Sequence, residues 1–178
     1  MALTLVRHTK VGISTSICYG QTDAPLADTF PEEWEEAVRK LGGDLDRFTK
    51  VYSSPLRRCH SFAKRYFDDV ETDPRLMEIN FGEWEGKPWD EIFALPEGKA
   101  WFADYLRATP PGGESYPEMV ARVRAFYEEK LKGQEGEILL VTHSGVFRCF
   151  LEILKGYTPE EAMAAEIGYG DVLSVTGE

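Results

Sequence analysis

The fold is decided by two stretches, Leu3-Thr4-Leu5-Val6-Arg7-His8 and Ile138-Leu139-Leu140-Val141-Thr142-His143, each an apolar run that ends on a histidine. Continuous runs of Val, Ile and Leu of this length are typical of strands buried on both faces, which is the pattern of a parallel sheet. In open α/β sheets, ligands bind beyond the carboxyl ends of the strands. We therefore expect His8 and His143 to meet at one edge of the sheet.

The chain length and charge limit the classes of function. A chain of 178 residues with 43% hydrophobic residues is expected to form one domain, residues 1–178. Its net charge of −11 argues against binding to nucleic acid or to anionic membrane surfaces. An anionic small molecule would therefore have to be captured by a local group of cationic side chains.

The cysteines and the chain start indicate a cytoplasmic protein. Cys18, Cys59 and Cys149 are odd in number and show no CxxC spacing, so neither a disulfide framework nor a structural zinc site is predicted. No run approaches the roughly 20 apolar residues of a membrane span, and the N-terminus leads directly into a strand rather than into a signal peptide.

Helices and strands alternate along the chain. Residues 50–53 and 171–175 are predicted strands, and the helices are expected to begin near Thr29, Ser54, Ser115, Ser144 and Thr158. Thr29, Ser115 and Thr158 each precede a glutamate by three residues, the spacing of a capping box. The pattern predicts one α/β domain with three or more βα units. Aromatic residues concentrated around 85–115 indicate an inserted helical cap over the sheet edge.

Cationic side chains follow the predicted strand ends. Arg7, His8, His143 and either Arg57 or Arg58 would form a pocket matched in charge and geometry to a phosphate group. Both Arg57 and Arg58 fall in the first turn of a helix, where the dipole disfavours cations unless an anion is close. The N–H groups at the start of the helix after His143 would add a seat for an anion.

The predicted pocket also contains a nucleophile and candidate proton donors for a reaction through a covalent intermediate. Neighbouring cations disfavour protonation of an imidazole, so a neutral histidine is available to attack phosphorus. A proton donor for the leaving oxygen is then needed, and either Glu78 or Glu114 is a candidate. A metal site is not predicted, because His8, His60 and His143 show no HxH or HxxxH spacing. His60 is interpreted as an ordinary helix residue.

Five motifs together resemble the histidine phosphatase (phosphoglycerate mutase-like) superfamily. They occur in the order of that family and cover the chain: Leu5-Val6-Arg7-His8, Ser53-Ser54-Pro55-Leu56-Arg57-Arg58-Cys59, Leu76-Met77-Glu78 followed by Phe81-Gly82-Glu83-Trp84-Glu85-Gly86, Pro111-Gly112-Gly113-Glu114-Ser115, and Val141-Thr142-His143-Ser144-Gly145. The resemblance implies a three-layer αβα sandwich with a mostly parallel central sheet and a small helical cap insertion. It also implies a phosphoric monoester hydrolase that acts without a metal or an organic cofactor.

The resemblance assigns roles to individual residues. His8 would be the phosphorylated nucleophile, Glu78 the proton donor, and Arg7, Arg58 and His143 the phosphoryl-binding groups. The family pattern selects Arg58 over Arg57. Substrate-binding residues are predicted to be Arg7, Ser14, Tyr19, Gln21, Arg58, His143 and Ser144. Most members carry Gly and Asn where this chain has Thr9 and Ser14, so the secondary phosphate contact differs.

The segment from Ile17 to Ala27 resembles the alpha-ribazole phosphatase branch, which removes the 5'-phosphate late in cobalamin nucleotide-loop assembly. The expected partner is thus a small phosphate monoester, and a homodimer is kept as an option. Alternatives are a sugar-phosphate phosphatase of broad specificity and a phosphoglycerate mutase-like enzyme. Mutases generally have longer chains, which favours hydrolysis. A protein that binds a phosphorylated ligand without turnover is the alternative outside enzymes.

Overall fold

The structure, a computed structural model, describes residues 1–176. Five strands are formed by Ala2–Arg7 (β1), Phe48–Ser53 (β2), Glu71–Thr72 (β3), Glu137–Thr142 (β4) and Val172–Thr176 (β5). The α-helices are Phe30–Lys40 (α1), Arg57–Tyr66 (α2), Trp89–Ala94 (α3), Pro96–Ala103 (α4), Tyr116–Phe126 (α5), Ser144–Lys155 (α6) and Pro159–Ala164 (α7). Short 3₁₀ turns at Pro74–Leu76 and Gly82–Trp84 and a π-helical turn at Tyr127–Leu131 complete the elements.

The strands form one mostly parallel sheet in the order β3-β2-β4-β1-β5. All neighbouring pairs are parallel except β1 and β5. β1 and β4 lie side by side, with Arg7 opposite Thr142. Because each strand is followed directly by a histidine, this register places His8 and His143 next to each other, as predicted.

Helices cover both faces of the sheet, which confirms the predicted α/β class with a mostly parallel central sheet. Alternate residues of a strand point to opposite faces. Leu5 and Leu140 therefore join one core, with α5 and α6, whereas Val6 and Val141 join a second core, with α1 and α2. Burial on both sides explains why apolar residues occur on both faces of β1 and β4.

A third, smaller cluster joins residues of the predicted cap, 85–115, to residues that precede it in the chain. Cys18, Trp84 and Ile92 are buried there, and Phe81, Trp89 and Trp101 pack against them. Gly98 allows α4 to lie against α3, because a Cβ at this position would collide with the Ile92 carbonyl. The helices α3 and α4 thus pack on a cluster that is separate from the two cores of the sheet. That residues 85–115 form a cap within one domain stays a proposal.

Two of the three predicted capping boxes are confirmed. The side chains of Ser115 and Thr158 accept hydrogen bonds from the N–H groups three residues later, and the two glutamates bond back. The capping box predicted at Thr29 is wrong. Its ψ of 1° lies outside the extended region that an N-cap needs, and its hydroxyl donates instead to the Glu33 carboxylate at 2.8 Å.

Within residues 1–176, no helix combines the length and the apolar character that crossing a bilayer requires.

Candidate active site

His8 follows β1 directly, and its main chain is fixed on both sides. Its N–H donates to the Thr142 carbonyl at 3.0 Å, and its carbonyl accepts from the Gly170 N–H at 3.2 Å. The residue is 4% exposed, and its Nδ1 lies 2.7 Å from the carbonyl oxygen of Thr9. Because a carbonyl oxygen only accepts hydrogen bonds, Nδ1 carries the proton and Nε2 keeps the lone pair. A nucleophilic role for this imidazole would therefore use Nε2.

Arg7 and Arg58 bring two positive charges to this ring. Arg7 Nη1 donates to the Ile167 carbonyl at 2.6 Å, and Arg58 Nη1 donates to the Thr22 carbonyl at 2.7 Å. The Nε atoms of both arginines are buried and have no hydrogen-bond partner within the described part of the chain. Each guanidinium therefore has hydrogen-bonding capacity that the described part of the chain does not use.

The two histidines at the sheet edge are kept neutral by their surroundings. Burial, followed by the charges of Arg58 and Arg7, holds the pKa of His8 well below its usual range. Burial and then Arg58 do the same to the pKa of His143. Both imidazoles are therefore uncharged near pH 7, as nucleophilic attack by His8 requires.

His143 lies behind His8 and is fully buried. The two rings meet edge to face with centroids 5.1 Å apart. The Nε2 atom of His143 is 2.8 Å from the Ser54 hydroxyl and 3.5 Å from the Cys59 sulfur. His143 does not line the cavity described below, so its predicted contact with the phosphoryl group stays a prediction.

Glu78 is anchored at the start of α6. Its Oε2 accepts from the Gly145 N–H at 3.2 Å and from the Ser144 hydroxyl at 3.3 Å, while its Oε1 accepts from the Ile79 N–H at 3.0 Å. Gly145 permits this approach, because a Cβ there would collide with the carboxylate. The sequence predicted that N–H groups at the start of α6 would bind an external anion. At least one of them, that of Gly145, donates to the Glu78 carboxylate instead.

Glu114, the other predicted proton donor, serves a different purpose. Arg122 donates to both of its carboxylate oxygens, at 2.7 and 2.9 Å, and the Asn80 N–H donates to it at 3.0 Å. Arg122 also donates to the carbonyls of Arg75 and Glu78, at 2.6 and 3.0 Å. This pair therefore holds the segment that carries Glu78, and the geometry favours Glu78 over Glu114 as the acid.

Glu85 organises the loop against which Arg58 rests. Its carboxylate accepts from the N–H groups of Gly20, Gln21 and Thr22 at 2.8 to 3.2 Å and from the Thr22 hydroxyl. Burial alone would raise the pKa of Glu85, yet these bonds hold it below the usual value. With their N–H groups fixed in this way, Gly20 and Thr22 offer their carbonyls to the Arg58 guanidinium.

One cavity of about 340 Å³ opens onto these groups. The predicted site residues that line it are Arg7, His8, Tyr19, Arg58, Glu78 and Ser144. Aromatic side chains form much of the remaining wall, at Phe81, Trp89, Trp101, Tyr105, Tyr116 and Tyr169. The cavity therefore joins a cationic end, suited to a phosphate, to an apolar end suited to a ring. Residues 1–176 contain no group of three or more His, Cys, Asp or Glu side chains arranged to hold a metal ion.

Other predicted residues lie outside this lining. Ser14 is exposed and bonded to a neighbouring serine, and Gln21 Nε2 donates to the Glu78 carbonyl at 3.2 Å. Their substrate contacts stay predictions. Arg57 is exposed and paired with Asp23, whereas Arg58 is fully buried.

Tyr169 and Arg148 are among the polar residues of the cavity that sequence reasoning missed. Tyr169 lies under the Arg7 guanidinium, 4.2 Å from the ring centroid, and its hydroxyl is 3.3 Å from that of Tyr19. Its place depends on the antiparallel direction of β5, for which the sequence holds no local signal. Arg148 did have a signal, because it follows Ser144 by four residues on a helix and so shares its face.

The comparison with known proteins agrees with this geometry. The family model described as the histidine phosphatase superfamily, branch 1, matches residues 3–178. The chain belongs to the histidine phosphatase superfamily. The predictions of this family and of a phosphoric monoester hydrolase are thereby confirmed, and the substrate class is a small phosphorylated molecule.

Several relatives of this histidine phosphatase carry different names. A probable phosphoglycerate mutase, GpmB, from Yersinia enterocolitica is 32% identical over 168 residues, covering 87% of this chain and 75% of its own. The bifunctional protein Rv2228c of Mycobacterium tuberculosis is 36% identical over 161 residues, and the match spans only 43% of its length.

Solved structures extend the likeness. The alpha-ribazole phosphatase of Shigella flexneri superposes with a TM-score of 0.88 at 26% identity, covering 99% of this chain and 90% of its own. A mycobacterial glucosyl-3-phosphoglycerate phosphatase in complex with VO3 superposes with a TM-score of 0.81 at 26% identity, covering 98% and 92%. The activities that these names print are those of phosphatases and a mutase, with more than one substrate among them.

Proposed function

We propose that this histidine phosphatase hydrolyses alpha-ribazole 5'-phosphate through a phosphohistidine formed on His8. The catalytic part of this proposal rests on the tautomer of the His8 ring and on the arginines beside it. Its Nδ1 is tied to the Thr9 carbonyl, its Nε2 keeps the lone pair, and two arginines with unused donors flank it in one cavity. These are the requirements for attack on a bound phosphate.

The reaction runs in two displacements. Nε2 of His8 forms a bond to phosphorus while the bond to the ester oxygen breaks, and Glu78 gives its proton to that oxygen. Water then attacks phosphorus and loses a proton to Glu78, the bond to Nε2 breaks, and inorganic phosphate leaves. Arg7 and Arg58 neutralise the phosphoryl oxygens throughout.

The substrate is proposed from the cavity wall and from structural likeness. Alpha-ribazole carries a planar aromatic base, and the apolar end of the cavity is lined by aromatic side chains that can stack on a ring. The Shigella flexneri alpha-ribazole phosphatase shares the fold over nearly the whole chain. We also propose the cytoplasm as location, since Cys18, Cys59 and Cys149 are buried free thiols. A homodimer and the absence of nucleic-acid partners stay predictions.

Phosphoglycerate mutase activity is the second candidate, favoured by the Yersinia enterocolitica relative. A mutase returns the phosphoryl group from the histidine to the substrate, whereas a phosphatase delivers it to water. The two activities differ in product, so one substrate panel separates them.

The test measures kcat/KM for alpha-ribazole 5'-phosphate, 3-phosphoglycerate and 4-nitrophenyl phosphate, with phosphate release and 2-phosphoglycerate followed separately. We expect alpha-ribazole 5'-phosphate to be hydrolysed with the highest kcat/KM. Formation of 2-phosphoglycerate without phosphate release would show a mutase instead. Tight phosphate binding without turnover of any compound would show a binding protein.

The nucleophile is tested by His8→Ala, with His60→Ala as the matched control. His60 is half-buried on α2 and does not line the cavity. His8→Ala should abolish hydrolysis of 4-nitrophenyl phosphate, while His60→Ala should retain it. Activity of the His8 variant within about tenfold of the parent would refute this nucleophile, since a covalent catalyst contributes far more.

A further inference from the structure

Arg148 is a third cation in the active-site cavity, separate from the two that flank His8. It lies on α6 four residues after Ser144, which is about 6 Å along the helix axis. Helical side chains lean toward the helix N-terminus, so a side chain as long as arginine reaches back to the level of Ser144 and Gly145. Arg148 lines the same cavity as both of those residues.

The donors of Arg148 are largely unused. Its Nη2 donates to the Ala165 carbonyl at 3.2 Å, and its Nε is buried without a hydrogen-bond partner in residues 1–176. Arg148 forms no salt bridge within residues 1–176, and the carboxylate whose charge acts most strongly on it is that of Glu78. Burial lowers the pKa of this guanidinium. A half-buried cation with free donors is costly unless an acceptor meets it.

The position of Arg148 assigns it to the leaving group rather than to the phosphoryl group. Glu78 is held by Ser144 and Gly145 at the start of α6, and Arg148 stands one turn further along the same helix. On the proposed mechanism, the leaving oxygen must contact Glu78 to receive its proton. The remainder of the leaving group therefore extends away from His8 into the cavity, which Arg148, Trp101 and Tyr105 all line.

We propose that Arg148 binds a hydrogen-bond acceptor on the leaving group, most tightly an anionic one, while the aromatic wall holds the ring that bears it. This inference rests on the proposed function, because it uses Glu78 to locate the leaving group. It makes Arg148 a specificity residue whose preferred substrates are phosphate monoesters of ring compounds that carry an oxygen or nitrogen acceptor away from the ester.

The experiment compares phenyl phosphate with 3- and 4-carboxyphenyl phosphate in the parent enzyme, in Arg148→Gln and in Arg148→Lys. The control is Arg124→Gln, which removes an exposed arginine of α5 that lies outside the cavity lining. Arg148→Gln should lower kcat/KM for at least one carboxylated ester by about tenfold or more relative to its effect on kcat/KM for phenyl phosphate. A loss of this size corresponds to one charged hydrogen bond. Arg148→Lys, which keeps the charge without the fork, should lie between parent and Gln.

Competitive inhibition by inorganic phosphate provides a second test of whether Arg148 contacts the leaving group. If Arg148 contacts the leaving group, the inhibition constant should change much less in Arg148→Gln than kcat/KM for the carboxylated ester does. An equal loss for all three esters, or a parallel weakening of phosphate binding, would place Arg148 in the phosphoryl site and overturn the proposal. No difference between Arg148→Gln and Arg124→Gln would overturn it as well.

A failure of the proposed function can be distinguished from a failure of the Arg148 proposal. If the parent enzyme hydrolyses none of the esters, the phosphatase proposal is at fault, and binding then decides the role of Arg148. Calorimetry with benzylphosphonate and 4-carboxybenzylphosphonate, which cannot be hydrolysed, should show preference for the carboxylated compound in the parent and lose it in Arg148→Gln. Equal affinities in the parent would overturn the Arg148 proposal.

Discussion

Two buried imidazoles, His8 and His143, illustrate how single residues fix both chemistry and stability. Each is neutral because burial and the nearby Arg58 charge lower its pKa. In the unfolded chain, both would titrate near the usual value of about 6.5. Below that pH the unfolded chain binds protons at these histidines, whereas the folded protein does not. Their contribution to the free energy of unfolding is therefore fully retained above pH 6.5 and decreases as the pH falls.

We therefore predict that the free energy of unfolding decreases between pH 6.5 and pH 5, by about 1.4 kcal/mol per pH unit for each histidine that stays neutral. Urea unfolding at pH 7, 6 and 5 measures this slope. His8→Asn should reduce the slope, whereas His60→Ala should leave that part of it in place. A stability that is flat over this range would contradict the assignment of neutral buried imidazoles.

At the scale of elements, the loop of residues 20–22 connects the third cluster to the phosphate site. Glu85 fixes the N–H groups of this loop, and the carbonyls of Gly20 and Thr22 hold Arg58. Gly20 itself lies against the Ile79 carbonyl, so closely that a Cβ would collide with it. Hydrogen bonds through this loop therefore join the turn that carries Glu85 to the Arg58 guanidinium.

Glu85→Gln should raise KM for 4-nitrophenyl phosphate by about tenfold, with a smaller change in kcat, because the loop loses a charged acceptor worth about 1.5–3 kcal/mol. Steady-state kinetics measures the split between KM and kcat. Glu83→Gln is the matched control, since Glu83 is exposed on the same turn. An unchanged KM in Glu85→Gln would show that the loop holds Arg58 without this carboxylate.

The helix caps give a second prediction at this scale. Ser115→Ala should lower the free energy of unfolding by about 1 kcal/mol, because it removes the capping box of α5. Thr29→Ala should cost less, since the Thr29 side chain makes no cap hydrogen bond. Urea denaturation of the two variants compares them directly, and a larger loss in Thr29→Ala would contradict the observed helix start.

Most of the fold could be predicted from the sequence because its signals are local. Apolar runs that end on histidines predicted β1 and β4, and Ser115 and Thr158 predicted two helix starts. The Thr29 cap failed because identity and spacing do not determine the backbone angle at the cap. Tyr169 was missed because its place depends on the direction of β5, and the contacts of Glu85 depend on residues more than 60 positions away.

On the scale of the whole molecule, a cationic pocket lies inside an acidic protein. The net charge is −11, yet Arg7 and Arg58 converge on the cavity together with Arg148. Their unused buried donors destabilise the free protein relative to a complex in which an anion accepts from them. The folded state should therefore be stabilised by the product of its own reaction.

Inorganic phosphate at about 100 times its dissociation constant should add about 2.7 kcal/mol of stability and raise Tm by about 5–10 °C for a chain of this size. Calorimetry or a thermal scan at fixed ionic strength, with chloride as the control salt, measures the shift. A Tm that rises equally in both salts would show general screening rather than occupation of the pocket.

The hydrogen bonds from Gly170 to His8 and from Arg7 to Asp171 also determine when the enzyme first becomes competent during its synthesis. His8 leaves the ribosome more than 160 codons before the residues that complete its surroundings. A nascent chain stalled before residue 170 already contains the nucleophile and both flanking arginines, but it lacks the strand that closes the sheet beside them. Phosphatase activity should thus appear abruptly once residues 170–176 have emerged, rather than grow with chain length.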